Sequence, residues 1–254
     1  MIEQQVEILT PAGVMDTFVT HPERDGPFPV IFFSMDAPGI REELRDMVRR
    51  LATVGYAVVL PNLYYRAGTG TTLDQSRVRE DGPERERMWE LMYSINNALI
   101  MDDTQALFDF IDEQAYARAD RIGCVGYCMS GQYVFTAAAA FPDRIAAMAS
   151  LYGVGLVTGR ADSPHLRAGA VAAEMYFGCA EVDSYAPPEL ILELERALAA
   201  TNAVFEVERY PGTEHGFAFP KRPVYDKAAA ERHWERLFAL FHRRLERDQL
   251  FVQT

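Results

Sequence analysis

Short apolar runs alternate with amphipathic stretches along most of the chain. A near-continuous apolar run of strand length is typical of a strand covered on both faces, and residues 29–35 show this best. Six short runs predict strands, at residues 29–35, 56–60, 122–125, 146–152, 174–179 and 204–210. The stretches between and after them predict helices, at residues 41–54, 97–114, 129–141, 188–200 and 226–247.

Strands that alternate with helices imply right-handed crossover connections and a mostly parallel central sheet flanked by helices. The N-terminal segment differs, because residues 6–9 and 15–19 flank the turn sequence Thr-Pro-Ala-Gly and predict an antiparallel hairpin. Nothing between the apolar segments resembles a linker, so we predict one α/β domain over residues 1–254. Residues 65–87 are the least regular part, a long connection of the kind that often forms a lid or binding loop.

A sharp turn is required where the strand at 122–125 meets the helix at 129–141. The sequence there is Gly-Tyr-Cys-Met-Ser-Gly, residues 126–131. It fits the nucleophile elbow, in which small residues around a strained strand-to-helix turn keep one reactive side chain clear of the sheet. Cys128 occupies the apex, at the N-terminus of the helix, where unpaired N–H groups and the helix dipole stabilise a thiolate. The alternative is that Cys128 is only a small buried apolar residue.

The charge balance and the cysteine count of the chain indicate which partners and which compartment suit it. Acidic residues outnumber basic ones by 37 to 25, a net charge of −12, which disfavours nucleic acid and anionic membrane surfaces. No segment approaches the ~20 apolar residues of a membrane span, and no basic region followed by an apolar one opens the sequence. The three cysteines are an odd number without the spacing of a zinc site. They argue against a disulfide framework and suit a reducing cytoplasm.

Candidate chemistry lies in the loops after the predicted strands, where open α/β sheets bind ligands. A nucleophile, an acid and a base follow one another as Cys128, Asp183 or Glu181, and His215, which is the chain order of α/β-hydrolases. The thiolate would attack an acyl carbon, His215 would move the protons, and the carboxylate would orient the imidazole. The two carboxylates are two residues apart and only one can meet His215; the turn sequence after Asp183 favours it over Glu181.

Two backbone N–H groups are candidates for an oxyanion hole. One is that of Met129, directly after the nucleophile, and the other is that of Ala37, in the loop after the strand at 29–35. Loss of one such donor typically costs about 3 kcal/mol of transition-state stabilisation.

The motifs Gly-Tyr-Cys-Met-Ser-Gly, Met-Asp-Ala-Pro-Gly-Ile and Glu-His-Gly-Phe make the sequence resemble the dienelactone hydrolase (carboxymethylenebutenolidase) family, from about residue 29 to 241. The resemblance implies an α/β-hydrolase fold with Cys128, Asp183 and His215 as triad and the N–H groups named above as oxyanion donors. In this family a carboxylate, usually Glu, pairs with the resting thiol and moves aside when substrate binds. Asp36 stands at that position here, one methylene shorter.

The resemblance also suggests residues for the substrate pocket. Family members bind the carboxylate of a dienelactone with arginines, one of which follows the catalytic His, and here Phe219 stands at that point. A Phe there suits a less charged acyl group or lactone. A second family arginine comes from the irregular segment, where Arg77, Arg79, Arg85 and Arg87 are the alternatives. Of these, Arg79 and Arg85 are pocket candidates, and so is Tyr127, beside the nucleophile.

We therefore expect a hydrolase that cleaves a small ester or lactone through a Cys128 thioester, without metal or organic cofactor. It is expected to be cytoplasmic, as a monomer or small homo-oligomer, with no nucleic-acid or membrane partner. One alternative is a non-catalytic member of the fold in which Cys128 is inert or redox-responsive. Another is a thioesterase or thiol peptidase that acts on a larger acyl group.

Overall fold

An eight-stranded sheet forms the centre of the computed structural model, which describes residues 1–68 and 70–246. The strands are β1 (Ile2–Thr10), β2 (Gly13–His21), β3 (Phe28–Ser34), β4 (Ala57–Pro61), β5 (Ala117–Tyr127), β6 (Ile145–Leu151), β7 (Glu174–Val182) and β8 (Phe205–Glu214). Their order across the sheet is β1-β2-β4-β3-β5-β6-β7-β8. The β1–β2 and β2–β4 pairs are antiparallel and the others are parallel. The predicted mostly parallel sheet with an N-terminal hairpin is confirmed.

Helices cover both faces of this sheet. They are α1 (Glu42–Ala52), α2 (Pro83–Tyr93), α3 (Asn97–Asp112), α4 (Gly131–Ala140), α5 (Pro188–Ala199) and α6 (Lys227–Leu245). Short 3₁₀ segments occur at Tyr65–Ala67, Cys128–Ser130 and Pro164–Ala170. α1 and α6 contribute to the apolar cluster on one face, and α3, α4 and α5 contribute to the cluster on the other. Among the described helices, none is long and apolar enough to cross a membrane.

Strand β3 is apolar at successive positions because both of its faces are buried. Ile31 and Phe33 belong to one core cluster, whereas Val30 and Phe32 belong to the other. Successive side chains of a strand point to opposite faces, so a strand covered by helices on both faces needs apolar residues throughout.

Helix α2 is the main departure from the predicted elements. The sequence from Pro83 is rich in charged residues and has little helical periodicity, and only Leu91 of this helix is buried. A helix that buries one face leaves a clear apolar repeat, and α2 does not bury one. Its N-terminal Pro, after Gly82, is the local signal that marks its start.

Two glycines allow β5 and α4 to pack closely around Cys128. A Cβ atom on Gly126 would lie 2.5 Å from the carbonyl oxygen of Ser130. One on Gly131 would lie 2.4 Å from Cα of Gly153, in the loop after β6. Real Cβ atoms do not approach other atoms so closely, and each of these neighbours is backbone.

We predict that Gly131→Ala lowers the free energy of unfolding by about 1–3 kcal/mol, because the added methyl group must displace backbone. Urea denaturation measures this change. Gly169→Ala is the control, since a Cβ there would meet only Cγ2 of Thr201 at 3.6 Å, an ordinary contact. An equal loss of stability in the two variants would contradict the packing argument.

Candidate active site

Cys128 lies at the turn between β5 and α4. Its φ is 55°, in the left-handed region that non-glycine residues rarely adopt, and its carbonyl accepts a hydrogen bond of 2.9 Å from the N–H of Val154. The side chain is half-buried, whereas the other two cysteines, Cys124 and Cys179, are buried. This is the strained strand-to-helix turn that the motif predicts.

The Cys128 side chain faces a cavity of about 350 Å³ at the carboxyl ends of the strands. Apolar side chains from α2 and the segment before it form one wall: Val78, Met88, Trp89 and Met92. His215, Tyr185 and Ala37 line other parts, and so do three arginines, Arg79, Arg85 and Arg222.

His215, directly after β8, pairs with Asp183, directly after β7. The distance between Nδ1 of His215 and Oδ2 of Asp183 is 2.7 Å. The other carboxylate oxygen of Asp183 accepts the N–H groups of Tyr185 at 2.9 Å and Ala186 at 3.3 Å, which fixes the carboxylate toward the imidazole. Glu181 is exposed, and its carboxylate accepts the N–H of Gly212 at 2.6 Å. Of the two candidate acids, the structure thus brings Asp183 to His215.

The Nε2 atom of His215 is buried on the side of Cys128. In the described part of the chain no well-formed hydrogen bond reaches this atom, but Cys128 is close enough to influence its protonation. Burial favours the neutral imidazole. The negative charge of Cys128 and the hydrogen bond with Asp183 together outweigh burial and raise the pKa of His215 to about 9.

Ala37 belongs to a tight turn after β3 that lies beside the elbow. The N–H of Gly39 donates to the carbonyl of Asp36 at 3.0 Å, and the N–H of Leu73 donates to that of Pro38 at 2.8 Å. The turn is also joined to the elbow, because the Ser130 hydroxyl donates to the carbonyl of Met35 at 2.5 Å. This hydrogen bond brings the turn that contains Ala37 beside the elbow that contains Met129.

Asp36 is fully buried and forms ion pairs with two arginines. Its carboxylate contacts Nη1 of Arg41 at 2.5 Å and also contacts Arg222. Arg41 additionally pairs with the buried Glu43, which gives a compact network of two carboxylates and two guanidinium groups. In this conformation Asp36 binds the arginines, and its pairing with the Cys128 thiol stays a prediction.

Two of the four pocket candidates lie in the core instead of the cavity wall. Tyr127 and Phe219 are fully buried, and their ring centroids are 5.4 Å apart. The guanidinium groups of Arg41 and Arg222 lie 5.0 and 4.6 Å from the centroid of the Phe219 ring. Phe219 therefore supports the arginines and leaves Arg222, three residues later, to line the cavity.

The other two pocket candidates, Arg79 and Arg85, do line the cavity. Arg85 forms a salt bridge of 2.7 Å with Asp81, one turn earlier. Arg79 is exposed and has no salt bridge within the described part of the chain.

A further histidine lies beneath the elbow, where the sequence pattern does not predict one. It is His233 of α6, an amphipathic helix rich in charged residues, and its exposure is 0 %. Its Nε2 lies 3.0 Å from the hydroxyl of Tyr127 and its Nδ1 contacts the carbonyl of Ala230. Burial lowers the pKa of His233 to about 3, so the ring is neutral. The strand position of Tyr127 beside the nucleophile is the only sequence signal for this contact.

Within residues 1–68 and 70–246, no group of three or more His, Cys, Asp or Glu side chains has the arrangement of a metal site.

The sequence model of the dienelactone hydrolase family matches residues 15–245. The chain is 29% identical over 205 residues to a carboxymethylenebutenolidase from Pseudomonas putida, a match that covers 80% of this chain and 81% of that protein. It is 25% identical over 232 residues to a protein from Synechocystis provisionally named carboxymethylenebutenolidase, which covers 90% of this chain and 92% of that protein.

A crystal structure from Klebsiella pneumoniae, provisionally named a dienelactone hydrolase, superposes with a TM-score of 0.84 at 25% identity. That match covers 94% of this chain and 98% of the other. The fold and the site thus define an α/β-hydrolase. The chain belongs to the dienelactone hydrolase family, and it is a hydrolase of esters or lactones.

We predict that His215 titrates near pH 9, remaining protonated below that pH, because Asp183 and Cys128 favour the charged imidazole. NMR of Cε1-labelled histidine measures the midpoint. Asp183→Asn and Cys128→Ala should each shift it down, since each removes negative charge while burial still opposes protonation. Glu181→Gln is the control and should not shift it. A wild-type midpoint near the ordinary 6.5 would contradict this electrostatic account.

Proposed function

We propose that this protein hydrolyses a small ester or lactone with Cys128 as nucleophile and Asp183 and His215 as the other members of a catalytic triad. One observation carries the proposal. The Asp183–His215 pair, with Nδ1 and Oδ2 at 2.7 Å, leaves the buried Nε2 of the imidazole close enough to Cys128 for the thiolate to affect its protonation, and both residues line one cavity. A reactive group, a base and an orienting acid in one cavity meet the requirements of nucleophilic catalysis.

The reaction begins with attack of the Cys128 thiolate on the acyl carbon. The carbonyl oxygen becomes an oxyanion, which accepts hydrogen bonds from the N–H groups of Ala37 and Met129. The C–O bond then breaks, the imidazolium of His215 protonates the leaving alkoxide, and a thioester remains on Cys128. Neutral His215 next takes a proton from water, whose oxygen attacks the thioester and releases the acid and the thiolate.

The substrate is inferred from the cavity. A volume of about 350 Å³ suits a small molecule, which disfavours a peptide or a long acyl chain. The apolar side chains of α2 suit a hydrocarbon portion, and the arginines at 79, 85 and 222 suit a negatively charged one. Arg85 and Arg222 already pair with carboxylates, whereas Arg79 lines the cavity without a salt bridge to any described residue. We therefore infer that the preferred acyl group or lactone carries a carboxylate that pairs with Arg79.

All three cysteines are free thiols, and two of them are buried. This suits a reducing compartment and supports the cytoplasm as the location of the enzyme.

The triad is tested by hydrolysis of a panel of small aryl esters and lactones. We predict that Cys128→Ala and His215→Ala each reduce kcat/KM by at least about a hundredfold, because removal of a triad member abolishes the activated nucleophile. Glu181→Gln should retain activity, since that carboxylate contacts the Gly212 backbone and not His215. Full activity in Cys128→Ala would reject the nucleophile, and the proposal of an inert or redox-responsive thiol would replace it.

The charge preference is tested with matched esters that differ by one carboxylate. We predict that Arg79→Gln raises KM for the charged ester by about tenfold, the usual scale of one ionic hydrogen bond, and leaves the neutral ester within twofold. Arg77→Gln is the control, because Arg77 is also an exposed arginine of this segment but does not line the cavity. Equal effects of Arg79→Gln on the two esters would contradict a carboxylate contact.

A further inference from the structure

Tyr64 connects the two residues that carry the candidate oxyanion donors. It follows β4 closely, is fully buried, and does not line the cavity. Its hydroxyl donates to the carbonyl oxygen of Ala37 at 3.0 Å and lies equally close, at 3.0 Å, to the sulfur of Met129. One side-chain oxygen thus contacts both the turn after β3 and the elbow.

We propose that Tyr64 is a positioning residue, whose hydroxyl sets the distance between the N–H groups of Ala37 and Met129. The inference rests on the proposed function, because these N–H groups matter only if an oxyanion forms between them. It adds a residue to the site that never touches substrate.

The backbone contacts around Tyr64 show why its hydroxyl matters. One hydrogen bond holds the turn after β3 to the segment at Leu73: the N–H of Leu73 donates to the carbonyl of Pro38 at 2.8 Å. On the side of the elbow, the hydroxyl of Ser130, one residue after Met129, donates to the carbonyl of Met35, two residues before Ala37. Tyr64 supplies the contact at the donor-bearing residues themselves. Without it, the Ala37–Pro38 peptide can rotate, and this shifts Cα of Ala37 and with it the N–H in the preceding peptide.

The hydroxyl of Tyr64 is also a constant donor. Burial, reinforced by the nearby charges of Cys128 and Asp36, raises the pKa of Tyr64 far above its ordinary value of 10. The group therefore stays neutral and protonated throughout the working pH range, and the bridge does not change when Cys128 or His215 changes charge.

A buried hydroxyl has an alternative role, which is to stabilise the fold. Its removal leaves the Ala37 carbonyl without that partner and lowers stability. The two roles differ in what they do to chemistry. Acyl transfer passes through an oxyanion, whereas alkylation of a thiolate by iodoacetamide displaces iodide at carbon and forms none. A defect in positioning the N–H groups slows the first reaction and not the second.

The test compares Tyr64→Phe with wild type in both reactions. We predict that kcat for ester hydrolysis falls by about tenfold with KM within twofold, because misplaced donors lose part of the oxyanion stabilisation. The rate of Cys128 alkylation by iodoacetamide should stay within twofold. Tyr65→Phe is the matched control, because the Tyr65 hydroxyl is also bonded, to Thr10 at 2.6 Å and Asp103 at 2.8 Å, away from the cavity. It should leave kcat within twofold.

Each other outcome counts against the inference. An unchanged kcat in Tyr64→Phe overturns it, and a parallel loss of hydrolysis and alkylation assigns Tyr64 to general stability of the site. If Tyr64→Phe does not fold, Met129→Leu tests the same bridge from the other end, since it keeps the N–H and the side-chain volume but removes the sulfur acceptor. It should lower kcat and spare alkylation. Failure of the proposed function is visible separately, as full hydrolysis by Cys128→Ala, and the inference then falls with it.

Discussion

The left-handed backbone at Cys128 is the conformation on which the rest of the site depends. A φ of 55° costs a non-glycine residue about 1–2 kcal/mol, so it persists only where the surrounding structure imposes it. Gly126 and Gly131 allow the strand and the helix to approach within distances that no Cβ would tolerate. The hydrogen bond from Val154 then fixes the carbonyl of Cys128. Because the turn cannot relax, the sulfur stays directed at the cavity.

The parallel sheet brings the other groups to the same place. Ala37, Cys128, Asp183 and His215 follow β3, β5, β7 and β8, and the carboxyl ends of these strands share one edge of the sheet. Residues far apart in sequence also meet there: the N–H of Lys221 donates to the side-chain carboxylate of Glu43, 178 positions away. Contacts of this kind order the loops around the cavity without any disulfide among the described residues.

The parts that the sequence predicts well are those set by local rules. The apolar runs reveal the strands, and the glycines around Cys128 reveal the turn, because both patterns follow from constraints on neighbouring residues. The chain order of the candidate residues leads to the acid and to His215. Spacing alone leaves Asp183 and Glu181 open as the acid, and the contact of Asp183 with His215 distinguishes them.

The parts that the sequence does not predict are set by packing. Phe219 matches the position of a family arginine, yet its ring is buried beneath Arg41 and Arg222, and the cation at the cavity comes from three residues later. His233 lies on an amphipathic helix, and its buried imidazole has the hydroxyl of Tyr127, from the central sheet, as a hydrogen-bond partner. Neither contact has a signature in the residues adjacent to it.

The weak anchoring of α2 means that stability is distributed unevenly around the cavity. Among the described side chains of this helix only Leu91 is buried, while the strands β3 and β6 are buried almost throughout. Because α2 fully buries only this one side chain, we expect its amide hydrogens to exchange with solvent faster than those of the central strands. The part of the cavity wall that α2 contributes is therefore expected to open more readily than the elbow, which would keep the nucleophile in place while the wall moves.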